Sequence, residues 1–224
     1  MKKRYILLDA LRGLAVMLMF IFHLAVDLQD FYGFNIGYRQ GLWYVLNQAI
    51  VIIFLLVSGY ATGSGLNKNT LRNGLKLLAA ACIVSAATYF FDSHSYVRFG
   101  ILHLLACAML LAPLFLRLSN ILLFVLSLFF VILGSYAKTV IVSTSILLPF
   151  GIMPDGFYSI DYYPLLPWLA IFIWGIVLGR KLELPDKDYD NSILQPLAFM
   201  GRHALLLYLV HQPLFLLFLH LLIG

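Results

Sequence analysis

Four ionisable side chains interrupt the first long apolar segment of the chain: Asp9, Arg12, His23 and Asp27. Ionisable groups inside a membrane-spanning helix are costly, and by default they mark a functional face. Arg12 and His23 are 11 residues apart, which is about three helical turns or roughly 16 Å along the axis. Asp9 and Asp27 fall one turn outside them and extend the same stripe. The spacing predicts a charged pair near one membrane face and a His–Asp pair, suited to proton transfer, near the other.

Each of these groups also has a structural interpretation. Asp9 and Arg12 could form an ion pair that only anchors the start of the helix. His23 could be an interhelical hydrogen-bond donor, and Asp27 could cap the helix exit or lie in water. The stripe is therefore a candidate site whose role depends on what the other segments bring to it.

Composition assigns the class of protein. The chain has 224 residues, of which 62% are hydrophobic and 11% are charged, whereas about a quarter of the residues of a soluble domain are charged. We predict an all-α, polytopic membrane bundle that forms a single domain over residues 1–224. Spans need roughly 20 apolar residues, and seven are predicted: 5–26, 42–62, 75–91, 99–118, 120–137, 164–180 and 196–222.

The loop charges predict the orientation of this bundle. With the N-terminus inside, the cytoplasmic flanks carry most of the basic residues, and the outside keeps only Arg39, Arg98 and Lys138. This distribution satisfies the positive-inside rule and places the C-terminus outside. We expect a multi-pass protein of the inner (plasma) membrane whose first segment is retained. The inner flanks account for the net charge of +5, so no nucleic-acid partner is implied.

Three further polar motifs follow along the chain: Arg98-Phe-Gly-Ile-Leu-His103, Asp161-Tyr-Tyr-Pro-Leu-Leu-Pro-Trp168, and Gly201-Arg-His-Ala-Leu-Leu-Leu-Tyr-Leu-Val-His211-Gln212. In the predicted topology Arg98, His103 and Asp161 join His23 and Asp27 in the outer half. Arg12, Arg72 and Arg202 gather toward the cytoplasm. Structural alternatives remain open here too, since Gln212 could only satisfy the carbonyl that Pro213 frees.

These motifs carry a family resemblance. Asp9-Ala-Leu-Arg12-Gly13 followed by His23 resembles the first-helix signature of transmembrane acyltransferases. All four motifs, in this order, resemble bacterial membrane proteins similar to the catalytic domain of heparan-alpha-glucosaminide N-acetyltransferase. Larger relatives have more spans than this chain can hold. The resemblance implies transfer of an acetyl group from acetyl-CoA to an outward-facing amine or hydroxyl, on a sugar-like acceptor.

The resemblance also suggests roles for the candidate residues. His23 would be the general base or a transient acyl carrier, and Asp27 or Asp161 would orient it. Arg98 or Gln212 would stabilise the oxyanion, and His103 has either a site role or a structural one. The donor's phosphates would bind to basic groups that favour charge-assisted hydrogen bonds, for which the candidates are Arg12, Arg72 and Arg202, with His211 as a further donor-site residue.

Other classes of function stay open. A small proton-coupled transporter or flippase could use His23, Asp27 and His211 as a relay, and a non-catalytic scaffold is a third reading. CoA binding separates the acyltransferase from the transporter, since a transporter has no need of CoA. The six His show no metal-ligand spacing, so we expect no metal. The bilayer is an expected partner, and the sequence is compatible with a homo-oligomer without specifying one. The aromatic segment 136–163 is either an interfacial belt or a lid over the acceptor.

Overall fold

The computed structural model describes residues 5–66, 69–184 and 194–223, and the described chain is mostly helical. This confirms the all-α class. The helices are α1 Ile6–Tyr32, α2 Gly41–Gly63, α3 Thr70–Phe91, α4 Ile101–Leu116, α5 Asn120–Ala137, α6 Leu165–Lys181, α7 Leu194–Arg202 and α8 Ala204–Ile223. Between α5 and α6, the short strands β1 (Ile141–Val142) and β2 (Met153–Pro154) pair in parallel around a 3₁₀ turn, Ser145–Phe150.

Within the described ranges, five helices are long and apolar enough to cross a membrane: α1, α2, α3, α5 and α8. Helix α4, with 16 residues, is a shorter apolar helix. The protein is therefore a multi-pass membrane protein, while the count of seven spans, the orientation and the inner membrane stay predictions. Some of the cytoplasmic charges on which the orientation depends lie outside the described residues, namely Lys2, Lys3, Arg4, Lys68 and Lys187.

Two predicted span boundaries differ from the structure. Helix α1 continues past residue 26 to Tyr32, so Asp27 lies within the helix rather than at its exit. It ends where Gly33 adopts a φ of +75° and the Gly33 and Phe34 amides bond back to Gln29 and Leu28, a glycine-terminated helix end. The last predicted span, 196–222, is two helices, α7 and α8, separated at His203.

The chain divides into two compact units, with the boundary inside α2. Unit 1 comprises residues 1–57 and 184–224, and unit 2 comprises residues 58–183. The core of unit 1 is apolar and lies along α1, where Val16, Met19 and Phe22 pack with Tyr38 and Ile50. That a single domain covers residues 1–224 stays a prediction.

In unit 1, α1 and α7 cross at two glycines. A Cβ atom added to Gly13 would overlap the Leu197 carbonyl, and one added to Gly201 would overlap the Asp9 carbonyl. Small residues let helix backbones approach this closely in membranes. The crossing explains the division of the last predicted span, because α7 lies against α1 through backbone contact before the chain turns into α8.

Unit 2 uses the same device between α2 and α6. A Cβ on Gly59, Gly63 or Gly179 would overlap a backbone carbonyl of the facing helix. Gly59 and Gly63 are one turn apart, as are Gly175 and Gly179, so each helix presents a small-xxx-small face to the other.

Arg180, near the end of α6, ties the α4–α5 corner to α6 within unit 2. Its guanidinium donates to the carbonyls of Leu116 and Leu118, each at 2.8 Å, and to the Asn120 side chain at 2.9 Å. The last carbonyls of a helix have no intrahelical partner, and Arg180 satisfies them at the end of α4. In the sequence this residue was only one of the basic flank charges.

Candidate active site

His23 lies on α1 with its imidazole oriented by the backbone of its own helix. The Nδ1 atom is 3.0 Å from the Met19 carbonyl oxygen. A carbonyl oxygen can only accept, so Nδ1 carries the proton and Nε2 holds the lone pair of a neutral imidazole. Within the described chain Nε2 has no hydrogen-bond partner. His23 therefore presents a free basic nitrogen.

A second histidine from α8 lies directly against it. The ring centroids of His23 and His211 are 4.7 Å apart and the planes are nearly perpendicular, at 81°. His211 also gives its Nδ1 proton to a carbonyl, that of Tyr208 at 2.7 Å, and stacks on Phe20. Its Nε2 is buried and has no partner among the described residues. The two rings thus have the same tautomer, and each leaves its Nε2 free as an acceptor.

Asp27 and Gln212 complete this cluster one turn further along each helix. Asp27 is fully buried, and its Oδ1 accepts from Gln212 Nε2 at 2.5 Å. Its other oxygen, Oδ2, and the Gln212 carbonyl oxygen Oε1 are buried without a partner in the described structure. Unpaired buried polar atoms are rare and need an explanation. We call His23, Asp27, His211 and Gln212 the α1–α8 cluster; it holds three such atoms.

The predicted inner end of the stripe is also formed. Arg12 donates to Asp9 at 2.9 Å, and Asp9 is buried while Arg12 is partly exposed. The crossing of α1 and α7 at Gly13 and Gly201 places Arg12 and Arg202 beside the same helix contact. Arg202 is exposed, with its guanidinium 5.9 Å from the Phe199 ring. Arg72 is exposed on α3, which belongs to unit 2.

His103, on α4 in unit 2, is held differently from His23. Its Nδ1 accepts from the Gly100 backbone amide at 3.3 Å, so the proton of the neutral ring is on Nε2. This nitrogen is 3.5 Å from the Ser85 hydroxyl, which itself donates to the Val97 carbonyl at 2.6 Å. The ring also stacks on Phe99. Both nitrogens of His103 are engaged by the protein.

Asp161 has a capping role in unit 2. Its carboxylate accepts from the Ile101 amide at 3.1 Å, and a Cβ on Gly100 would overlap it. A carboxylate is favourable beside the free amides at a helix N-terminus. The segment that carries Asp161 is fixed alongside, since Tyr163 donates its amide to the Phe99 carbonyl at 2.8 Å. Asp161 therefore caps the start of α4.

Arg98 lies between aromatic rings. Its guanidinium carbon is 5.0 Å from the centre of the Tyr96 ring and 5.3 Å from that of Phe157. These distances are in the range of cation–π contacts. The Nε atom is buried and unpartnered within the described ranges. Arg98 and His103 line one cavity of about 460 Å³ in unit 2.

The region between α5 and α6 is packed against its own chain. The Tyr162 hydroxyl donates to the Leu148 carbonyl at 2.7 Å, and its ring meets Phe157 edge-on at 4.9 Å. Burial raises the pKa of Tyr162 to about 12, so the phenol stays a neutral donor. In unit 1, burial and then the hydrogen bond to Asp30 raise the pKa of Tyr38.

The structure thus separates the predicted residues into groups. It brings His23, Asp27, His211 and Gln212 together in unit 1, and Arg98, His103 and Asp161 around the start of α4 in unit 2. The Met19 carbonyl binds the Nδ1 atom of His23, and the orienting role of Asp27 or Asp161 stays a prediction. Sequence reasoning missed Met19 and Ser85: a backbone acceptor has no sequence signal, and a lone Ser in an apolar segment is not distinctive. In the described part of the chain, no group of three or more metal-type ligands occurs.

The class is thus a multi-pass helical membrane protein that holds a buried, His-centred polar cluster. The family model for the catalytic domain of heparan-alpha-glucosaminide N-acetyltransferase matches residues 4–213. The chain belongs to this family, and its function is accordingly of the membrane acetyltransferase kind. The match extends from the first-helix motif to the motif in α8, as the resemblance predicted. No curated protein and no solved structure matches the chain.

Proposed function

We propose that the protein transfers an acetyl or other short acyl group from cytoplasmic acyl-CoA to an outward-facing amine or hydroxyl on a sugar. The observation that carries this proposal is the state of His23: its Nδ1 proton is held by Met19, and its Nε2 has no partner within the described ranges. A fixed tautomer with one free nitrogen is what a general base requires before a substrate arrives.

In the proposed reaction, the acceptor's N–H or O–H donates to His23 Nε2. As the proton passes to the ring, the acceptor attacks the thioester carbonyl. The tetrahedral intermediate then expels the CoA thiolate, which takes the proton from the imidazolium. The Nδ1–H to Met19 bond persists throughout and keeps the ring oriented. The alternative role, a transient acyl carrier, uses the same Nε2 atom as nucleophile.

The neighbours of His23 suit the charges that develop. Gln212 uses one amide proton on Asp27, and its second can donate to the oxyanion of the intermediate. Asp27 Oδ2 and His211 Nε2 can accept hydrogen bonds from polar groups of the acceptor. A hydroxyl- and amine-rich ligand such as a sugar supplies those donors. Arg98 and His103, in unit 2, stay predictions as catalytic residues.

For the donor, Arg12 and Arg202 are the proposed phosphate partners in unit 1, and Arg72 stays a third. Arg12 already contacts Asp9 through one nitrogen, but a guanidinium has five N–H donors. A phosphate can therefore be bound while the Asp9 contact persists, with Asp9 holding the guanidinium in place.

The test uses protein reconstituted in sealed vesicles with glucosamine trapped inside. Sidedness is established by labelling single cysteines placed at two exposed positions, Asp155 and Asn69, in a background without Cys82 and Cys107. We expect labelling of the two from opposite sides, and acetylglucosamine only when acetyl-CoA is added on the Asn69 side. Product formed only when both substrates share one side would overturn the trans-bilayer route.

One observation favours a second candidate. Three buried atoms of the α1–α8 cluster that lack a partner in the described chain could also form a proton path, as a coupled transporter or flippase needs. Calorimetry with acetyl-CoA discriminates, because a transporter has no need to bind it. If correctly folded protein neither binds acetyl-CoA nor transfers the acetyl group, the transporter is favoured.

A further inference from the structure

We propose that the cavity in unit 2 is a binding site for a small ligand that carries an oxyanion, with Arg98 as its anion partner. The cavity, of about 460 Å³, lies in the size range of small-molecule sites. The residues that matter for the argument line it: Cys82, Ser85, Tyr96, Arg98, Phe99 and His103.

The first reason is an arginine without an ionic partner. Arg98 makes no ion pair within the part of the chain that the structure describes, and its buried Nε has no acceptor. Leaving a buried donor on a charged group unpaired is costly. A planar guanidinium presents its donors in a fork that matches carboxylate, sulfate and phosphate. An oxyanion would supply the missing acceptor and the compensating charge together.

The second reason is the preparation of the guanidinium. Tyr96 and Phe157 flank it at 5.0 and 5.3 Å, so its orientation is set by ring contacts before a ligand binds. The Arg98 backbone is fixed as well, with its amide near the Ser159 hydroxyl at 3.4 Å. A fixed cation loses less conformational freedom on binding than a mobile one.

The third reason is the chemistry of the remaining lining. None of the described residues that line the cavity is acidic, so no lining carboxylate opposes an anion. The His103 Nε2–H points to Ser85, and Ser85 gives its own proton to Val97. His103 and Ser85 are thus engaged in neutral hydrogen bonds, and Arg98 carries the formal charge among the described lining residues. Tyr96 and Phe99 add aromatic surface for the apolar face of a ring or chain.

Cys82 provides a direct readout, since it is exposed and lines the cavity. With Cys107→Ala, Cys82 is the single thiol of the chain. The measurement is the rate at which a small maleimide labels Cys82 in detergent, in the presence of glucuronate, acetyl-CoA or neutral glucose. We expect an anionic probe to slow labelling several-fold, and glucose to have no effect. The assay measures binding only, so its outcome does not depend on acyl transfer.

The Arg98→Gln variant should weaken protection by about tenfold or more, and Arg98→Lys should retain part of it. The matched control is Lys138→Gln, which removes an exposed cation of unit 2 outside the cavity. In this variant the anionic probe should protect Cys82 from labelling as it does in the wild type. Should Arg98→Gln fail to fold, the salt dependence of protection in the parent protein replaces it, because an ionic contact weakens with ionic strength.

The choice of probes also distinguishes between two possible sources of the anion. Protection by glucuronate assigns the cavity to an acidic sugar, and protection by acetyl-CoA alone assigns it to the phosphates of the donor. Equal protection by glucose, protection unchanged in Arg98→Gln, or no protection by either anion at millimolar concentration would each overturn the proposal.

Discussion

His23 in unit 1 and His103 in unit 2 are both neutral-tautomer histidines on apolar helices, yet their nitrogens are used in different ways. His23 gives Nδ1–H to a carbonyl of its own helix, and its Nε2 has no partner in the part of the chain that the structure describes. His103 accepts from the Gly100 amide through Nδ1 and places Nε2 against Ser85. The first is available for chemistry, whereas the second closes the start of a helix.

The difference teaches that a histidine's partners, more than its motif, decide its role. Because a backbone carbonyl four residues earlier orients the His23 ring, no second side chain is needed for this purpose. The other ring nitrogen therefore stays accessible to a substrate. A backbone amide uses the basic nitrogen itself, and only an N–H is left. The same contrast applies to the acids: Asp27 keeps a buried oxygen without a partner among the described residues, while Asp161 caps α4.

The largest expected effect is on His23. His23→Gln removes the basic Nε2 and should lower acyl transfer on the order of a hundredfold or more, with unfolding little changed. Turnover of acetyl-CoA by the purified variant is the measurement. His103→Gln is the matched substitution in unit 2. It should lower the thermal stability of the protein clearly and the rate of acyl transfer only slightly. If the two variants exchanged these effects, the assignment of roles would be reversed.

The next effect concerns the α1–α8 cluster. Gln212→Leu removes the donor to Asp27 and leaves a fully buried carboxyl without a partner in the described structure. We expect a loss of about 1–3 kcal/mol in stability together with reduced transfer. Asp27→Leu combined with Gln212→Leu should recover part of the stability, because both polar groups are then absent, but none of the activity. Recovery of transfer in the double variant would remove the pair from the site.

A purely structural arginine in unit 2 provides the counterpart. Arg180→Gln removes the donors that satisfy the last carbonyls of α4 and should cost about 1–3 kcal/mol. The rate per folded molecule should be unchanged. Thermal unfolding in detergent and single-turnover transfer measure the two quantities separately. Arg117→Gln, an exposed neighbour, should change neither, and a rate effect in Arg180→Gln alone would place that residue in the site.

The smallest expected effect is on acetyl-CoA binding, and it is measured at two arginines proposed to bind the phosphates of the donor. Arg12→Ala should weaken acetyl-CoA binding by a few-fold to about tenfold, and Arg12→Lys should restore only part, since a point charge lacks the bidentate fork. Arg72→Ala tests the corresponding residue of unit 2. Calorimetry with acetyl-CoA gives both affinities. Unchanged binding in Arg12→Ala would leave Arg12 as the partner of Asp9 alone.

Much of the fold follows from the sequence because its physical cause is local. Long apolar runs predict helices of membrane-spanning length, and α1, α2, α3 and α5 lie close to where hydrophobicity places them. The helical spacing of His23 and Asp27, and of His211 and Gln212, indicates which side chains share a face. The family, too, could be recognised from the order of four short motifs, and the match over residues 4–213 confirms it.

Tertiary structure decided what local pattern does not contain. The pairing of Asp27 with Gln212 joins residues 185 positions apart, and no spacing rule predicts it. The division between α7 and α8 comes from backbone contact of Gly201 with α1, which hydrophobicity does not register. The roles of His23 and His103 depended on carbonyl, amide and hydroxyl groups that reach them only in the folded chain. Sequence therefore determined which ionisable groups enter the membrane, and packing determined which of their atoms remain free to react.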